Sequence, residues 1–336
     1  MIPSAIRSVE LGHDLSMETM ARLIGVVMDG QCPEDDVARL LLALHRKGET
    51  VSEIAGAASA MRRHATPIRT QRRGLLDTCG TGGDGARTFN ISTAAALVAA
   101  AAGVPVAKHG NRAVTSRSGS ADVLAALGVN IEANLACVER CLDELGICFC
   151  FAPLLHQAMR HVAPVRKRLG VPTIFNILGP LANPANAEYQ LLGVGDDRLR
   201  SLLAQSLALL GTTRAVIVHG TDGLDEVTLN GETQATEATR QGLQEWTWRP
   251  ADFGVEANDL SSLIIQNAEE SASLIHGVLS GRHGPARDIV VANAAAAIWT
   301  TNRAETPLHA AGLAAEAIDS GATLRILAKL VKLTNA

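Results

Sequence analysis

The pattern of apolar positions divides this chain in two. Up to residue 72 the apolar residues recur at helical spacing and nothing alternates as a strand does. Leu23, Ile24 and Val27 share one face of a stretch that Ser16 can open and Asp29-Gly30 stops. Val37, Leu40, Leu41 and Leu44 form the face of a second, with Pro33 in its first turn and Lys47-Gly48 at its end. Thr50 and Glu53 stand at capping-box spacing and predict a third helix through Met61. From Leu75 onward short apolar runs alternate with helix-length segments. Leu75–Cys79, Val104–Ala107, Ile147–Phe151, Gln190–Val194 and Ala215–Val218 are the predicted strands. The predicted fold class is therefore α/β: a small N-terminal all-helical domain, residues 1–72, and a large α/β domain, residues 73–336, with a mostly parallel central sheet. Ligands of such sheets gather at the carboxyl ends of the strands. Residues 162–183 lack alternation and carry Pro164, Pro172 and Pro180, so they are expected to rejoin the helical domain.

Composition narrows the class. Of 336 residues 47% are hydrophobic but only 3% aromatic, so the core must be built from Ala, Leu, Val and Ile. No uncharged apolar run reaches the roughly 18 residues of a membrane span, and the Ala-rich run from Thr93 to Ala107 is interrupted by Gly103 and Pro105. The N-terminus carries Arg7 and Glu10 and no apolar signal core, so a cytoplasmic protein with no membrane partner is expected. The cysteines at 32, 79, 137, 141, 148 and 150 form no CxxC pair and read as packing residues.

Charge then singles out one region. The net charge is −4, yet no acid lies between Asp84 and Asp122, while Arg87, Lys108, Arg112 and Arg117 do. This local excess coincides with Asp77-Thr-Cys-Gly-Thr-Gly-Gly-Asp-Gly85, Asn90-Ile-Ser-Thr93 and Lys108-His-Gly-Asn-Arg112, an arrangement suited to a polyanion. The loop formally satisfies G-x-G-x-x-G, but the ribose-binding acid about 20 residues on is missing. A Walker loop needs Gly-Lys-Ser/Thr, and Ala86-Arg87 stands there instead. Two readings stay open on residues alone: an anion cradle of backbone N–H groups leading into a helix near Asn90–Thr93, or a tight turn with Asn90 or Ser92 as a cap.

Together with Ser116-Arg-Ser-Gly-Ser-Ala-Asp122, Phe175-Asn-Ile-Leu-Gly-Pro-Leu181 and His219-Gly-Thr-Asp-Gly-Leu-Asp-Glu226, these motifs resemble the anthranilate phosphoribosyltransferase family, in the family's order, from about Met17 to Leu330. The resemblance implies transfer of the phosphoribosyl group of phosphoribosyl pyrophosphate to the anthranilate amine in tryptophan biosynthesis, with Mg²⁺ as cofactor. By the same resemblance Gly80, Gly83, Asp84, Thr88, Asn90, Ile91, Ser92, Thr93, Lys108, His109, Gly110, Asn111, Arg112, Ala113, Val114, Thr115, Ser116 and Ser120 would hold phosphoribosyl pyrophosphate. Asp225, Glu226 and Ser92 would hold the metal, whose preference is for hard oxygens. Arg166 would grip the anthranilate carboxylate, with Gly80 and Asn111 as further contacts. His109 and His156 are candidates to line the aromatic pocket, although a lone histidine serves equally as a core residue.

Gln157 and Arg87 depart from the family's usual proline and His or Ser. The resemblance further implies a homodimer through the helical domain and a cleft closing by a hinge near Pro67–Gly74. No glutaminase domain is expected to be fused at either end. A pyrimidine nucleoside phosphorylase would share the architecture but need no metal at a pyrophosphate, and a nucleic-acid-binding relative should be basic, whereas this chain is acidic.

Overall fold

The computed structural model describes residues 2–113 and 116–336. Helices α1 (Ile2–Glu10), α2 (Met17–Met28), α3 (Glu34–Lys47) and α4 (Val51–His64) come first. Ser16 caps α2 by accepting from the Thr19 N–H, and the Thr50–Glu53 capping box opens α4. Glu53 does more than cap. Fully buried, it also accepts from the Leu15 N–H at 3.0 Å and from Lys47 Nζ at 2.9 Å, so one carboxylate joins the start of α4 to the approach of α2 and the end of α3. α2 crosses α4 at Gly56, where a Cβ would sit 2.4 Å from the Met17 carbonyl oxygen; only glycine allows that approach.

The sheet strands are β1 (Leu76–Asp77), β2 (Val106–Gly110), β3 (Ile147–Phe151), β4 (Tyr189–Gly193), β5 (Arg214–Gly220), β6 (Thr233–Thr239) and β7 (Gly242–Trp248). Their spatial order is β3-β2-β1-β4-β5-β6-β7, parallel from β3 to β5 and antiparallel for β6 and β7. The connecting helices are α5 (Ile91–Ala101), α6 (Ser120–Ala126), α7 (Leu135–Leu145), α8 (Ala152–Leu155), α9 (Ala163–Leu169), α10 (Phe175–Leu178) and α11 (Arg198–Leu209). The C-terminal set is α12 (Ala268–Leu279), α13 (Pro285–Thr300), α14 (Pro307–Asp319) and α15 (Ala322–Thr334). Alanine-rich α5 and α13 pack on each other and are buried nearly all round, where small side chains let helix and sheet backbones approach. Among the described residues no helix is long and apolar enough to cross a membrane.

The predicted parallel strands are all present, with shifted ends. The first shortens to Leu76–Asp77 because the chain leaves the sheet for the glycine loop. The second runs on through Lys108 and His109, whose polarity ends the apolar run although both are buried in the strand. The β6–β7 hairpin is an addition. β6 alternates Thr, Ala and Glu, and β7 is an exposed edge whose Trp246 and Trp248 stack edge-on against Trp299, so neither shows an apolar run.

One apolar core lies between the sheet and α5, α13 and α14. A second joins α1–α4 to Val162, Val165, Ile174, Phe175, Leu178, Leu181 and Ala182, and continues through α11 onto Leu192, Val194, Ala215 and Ile217 of the sheet. The 162–183 excursion thus shares its core with the helical bundle, and that bundle is continuous with one face of the α/β sheet. The connection between them is strapped to its surroundings: Thr66 N donates to Leu155 O (2.8 Å), Arg69 N to Glu139 Oε1 (2.7 Å), and Arg72 Nη2 to Asp143 O (2.7 Å) at the end of α7.

Candidate active site

The glycine loop leaves β1 at the carboxyl end of the sheet and runs to α5. Gly82, Gly83 and Gly85 have positive φ, as does Arg87 at 59°, a rare conformation for a side chain of that size. The backbone N–H groups of Gly83 and Gly85 have no acceptor among the described residues. The first-turn donors of α5 are less free than the anion-cradle reading requires. Ile91 N donates to Phe89 O, Ser92 N to Glu226 Oε1 at 3.0 Å, and Thr93 and Ala94 N to Asn90 O. The donors left free therefore belong to the loop. One polar atom in that turn is orphaned: the buried Thr93 Oγ1 has no partner among the described residues.

Close backbone packing brings the acids here. A Cβ on Gly193, the last residue of β4, would lie 1.6 Å from the Asp225 carbonyl oxygen, and one on Gly195 would lie 3.0 Å from Asp84 Cα. Thr81 N donates to Gly193 O at 2.9 Å. Gly193 and Gly195 were not singled out by their sequence, although a Gly-Val-Gly at a strand's carboxyl end is the available signal for close backbone approach. As a result Asp84, Asp225 and Glu226 converge. Burial, then Asp84, then Glu226 push the Asp225 carboxyl well above the carboxylate range. Burial lifts Glu226 to about 7, with Lys108 opposing. Such a set of hard oxygens holds its charge only with a cation or a proton.

Lys108 is buried behind the loop, its Nζ donating to Thr78 O and Thr78 Oγ1 (both 3.1 Å) and, more distantly, to Ser92 Oγ (3.4 Å). It is a fixed positive charge under the start of α5. Thr88 forms an isolated antiparallel bridge with Ile264, and Ile91 has its side chain in the core and its N–H on Phe89 O, so it offers a ligand no donor. Gly110 ends β2 where a Cβ would meet Ser120 Oγ at 2.0 Å. Beyond it the chain folds over the start of α6: Asp122 accepts from Ala113 N (2.8 Å) and Gly119 N (3.0 Å) and pairs with Arg112 (3.3 Å). Asn111 Oδ1 accepts from Arg112 N, Asn111 O from Ser120 Oγ at 3.4 Å, and Ser116 Oγ donates to Ser118 O. Val114 and Thr115 lie outside the described residues.

β2 also carries the opposite wall. Asp77, fully buried, accepts from His109 N (3.1 Å) and from Asn183 Nδ2 (2.7 Å), which fastens the end of the 162–183 excursion to the sheet. The His109 ring lies between Gly179 O (Nδ1, 3.1 Å) and His156 Nε2 (Nε2, 3.2 Å). Burial holds both rings uncharged, His109 down to about 3 and His156 to about 4. His156 ends α8 with φ −114°, and Gln157 follows it as the first residue of a short 3-10 helix. Arg166, on α9, donates to Asn176 Oδ1 at 3.3 Å and lies over the Phe175 ring; burial lowers its pKa and leaves it without a carboxylate partner among the described residues. Donor atoms of Asp77, Cys79 and His109 lie within 4.8 Å of one another, but the Asp77 oxygens and both His109 nitrogens are already bonded and burial raises the Cys79 thiol to about 12. That group is a packed floor.

The model of the "glycosyl transferase family, a/b domain" matches residues 72–324, and that of the family's "helical bundle domain" matches residues 3–65. A Rhodopirellula baltica protein named anthranilate phosphoribosyltransferase is 49% identical over 328 residues, 98% of this chain and 96% of its own. The crystal structure of the enzyme of that name from Thermus thermophilus superposes with a TM-score of 0.93 at 42% identity, over 99% of both chains. That of the Saccharomyces cerevisiae enzyme, in complex with PRPP and Mg, does so with 0.91 at 30% identity, over 99% of this chain and 98% of that one. On these likenesses, and on a helical bundle joined to a mostly parallel sheet, the chain belongs to the anthranilate phosphoribosyltransferases, within the glycosyl transferase family.

Proposed function

We propose that this chain transfers the 5-phosphoribosyl group of phosphoribosyl pyrophosphate to the amine of anthranilate, giving N-(5-phosphoribosyl)anthranilate and pyrophosphate for tryptophan biosynthesis. The observation that carries the reading is the convergence, at the carboxyl ends of parallel strands, of a glycine loop with unused N–H groups, the orphaned Thr93 hydroxyl and the acids Asp84, Asp225 and Glu226. A diphosphate needs the donors, and a divalent cation needs the acids.

The donor set fits Mg²⁺, because it consists of hard oxygens whose raised proton affinity reports uncompensated negative charge. Asp225 and Glu226, with Ser92, would hold it, and bound Mg²⁺ would neutralise charge on the leaving pyrophosphate. The protein's own groups do the rest. Gly80, Gly83 and Asp84 shape the loop around the diphosphate, and Asn90 to Thr93 supply directed contacts. Lys108 adds a fixed positive charge behind them, and the turn from Gly110 to Ser120 closes the phosphoribosyl side. Arg166 takes the anthranilate carboxylate, with Asn111 and Gly80 beside it. Uncharged His109 and His156 suit the aromatic ring and leave Arg166 as the carboxylate's cation. The amine lone pair forms the bond to ribose C1 while the C1–O bond breaks and its electrons leave with pyrophosphate, and the nitrogen, cationic once bonded, gives up one proton to water or to the departing pyrophosphate. A neutral amine needs no strong base, so positioning supplies most of the acceleration.

The reading includes a cytoplasmic homodimer formed through the helical domain. It also includes closure about residues 67–74, which the apolar continuity of α4 with α11 restricts to a small rotation or shear. The test is loss of anthranilate fluorescence on adding phosphoribosyl pyrophosphate and Mg²⁺. Turnover that requires all three components supports the assignment. Turnover of thymidine with phosphate and none of anthranilate would overturn it.

A further inference from the structure

Asn90 immediately precedes α5, yet its side chain makes no cap to that helix. It is held from elsewhere. Ser271, in the first turn of α12 and fully buried, accepts from the Asn90 backbone N–H at 3.0 Å and donates its hydroxyl proton to Asn90 Oδ1 at 2.8 Å. A serine hydroxyl has a single proton, and this one is directed at the amide oxygen. The carbonyl end of the Asn90 amide is thereby turned toward α12, and its Nδ2 end toward the 118–120 turn, where one hydrogen goes to Ser118 O at 3.1 Å. The second Nδ2 hydrogen has no protein acceptor among the described residues.

We propose that Ser271 is a positioning residue for phosphoribosyl pyrophosphate, acting through Asn90 by fixing which end of its amide faces the anion. The proposal rests on the functional reading above, in which Asn90 contacts the diphosphate. A flipped amide would present an oxygen to a polyanion where a donor is needed, turning attraction into repulsion. The lead-in to α12 restrains the residues just before Asn90 as well: Phe89 N donates to Leu263 O at 2.9 Å and Ile265 N to Arg87 O at 3.0 Å. Ser271 and this bridge together hold the chain from Arg87 to Asn90. The partners are 181 residues apart, and nothing in the Ser271 neighbourhood of the sequence signals a phosphate contact.

The test compares Ser271→Ala, Ser271→Thr, Asn90→Ala and the Ser271→Ala/Asn90→Ala pair in the full chain. Calorimetry reads binding of Mg²⁺–phosphoribosyl pyrophosphate, and steady-state kinetics read anthranilate turnover. Ser271→Ala is expected to raise the Kd and KM for phosphoribosyl pyrophosphate about tenfold, the scale of one buried hydrogen-bond partner lost, with the anthranilate KM unchanged. Ser271→Thr, which keeps the hydroxyl, is expected to restore them, and Ser271→Ala should add nothing on the Asn90→Ala background. A lowered Tm with unchanged phosphoribosyl pyrophosphate affinity overturns the proposal, as does an effect that multiplies with Asn90→Ala. A wild type that binds Mg²⁺–phosphoribosyl pyrophosphate without consuming anthranilate removes the functional reading and leaves Ser271 to be judged on binding. A wild type that binds none removes both.

Discussion

The wall assigned to the diphosphate and the wall assigned to the acceptor share strand β2 and are shaped by different forces. The first is a backbone structure. Positive-φ glycines, the Gly193–Asp225 contact that admits no Cβ, and the carboxyl ends of β1, β4 and β5 place its groups. The second is assembled from short helices, α8 to α10, with side chains as fasteners: Asp77 to Asn183, His109 to Gly179 and His156, Arg166 to Asn176. Electrostatics follow the same division. The first wall concentrates charge, acids on one side and Lys108 behind, whereas in the second burial keeps His109 and His156 neutral, Asp77 is sealed beneath them against Asn183, and Arg166 is the cation. A diphosphate leaving group requires a preorganised charge environment. A flat aromatic acceptor requires shape and one cation.

Substitutions should therefore separate the two walls kinetically. The largest effect is expected from Asp225→Asn, which removes one of the acids proposed to hold the metal: kcat should fall by about a thousandfold, the scale of several kcal/mol of transition-state stabilisation, while binding of anthranilate stays. A kcat near wild type at saturating Mg²⁺ would break the division of labour. Arg166→Ala comes next. The anthranilate KM should rise roughly 10- to 100-fold, as for loss of a charge-assisted pair, with the phosphoribosyl pyrophosphate KM unchanged. An equal rise in both would show that the walls are not independent.

The pH dependence sharpens the comparison further. The folded-state pKa of Glu226 is raised, to about 7 from 4.5. Its contribution to stability is therefore fully present below 4.5 and is lost as pH rises through 7. His109 runs the other way. Its folded pKa is lowered to about 3, so its contribution is present above 6.5 and is lost as the pH falls toward 3. Metal-free protein should lose thermal stability from pH 5 to 8 less steeply as Glu226→Gln, and Mg²⁺ should oppose the loss in wild type with release of protons. Identical profiles with and without Mg²⁺ would count against the acids as its ligands. The smallest effect is expected from Arg87→Gly. Relief of the left-handed φ should stabilise the fold by at most about 1 kcal/mol, read as a slightly higher Tm. A destabilised variant would show that the Arg87 side chain makes a contact outweighing its backbone cost.

How legible each wall was follows from the same difference. Helices α2 to α4 were legible because Ser16, the Thr50–Glu53 pair and Gly48 are local signals. Five parallel strands were legible because buried strands read as apolar runs. The β6–β7 hairpin was not, since an exposed edge built of Thr, Glu and Gln carries no such run, and its Trp residues find their ring partners on Trp299 of α13 and on Phe253. The glycine loop showed as an acid-free basic window, but its helix-end donors proved to be spent on Phe89, Asn90 and Glu226.

By itself the sequence determined the helical bundle, the alternating α/β order, the glycine loop after the first strand and the family, because each rests on local spacing or on motifs contiguous in the chain. Only the tertiary structure decided which groups meet. Asp84 joins Asp225 and Glu226 because Gly193 and Gly195 let backbones approach, Lys108 turns inward to Thr78, and Ser271 reaches Asn90 across 181 residues. Those contacts depend on distances between strand ends and helix starts. Hydrophobic packing sets such distances globally, and no local pattern encodes them.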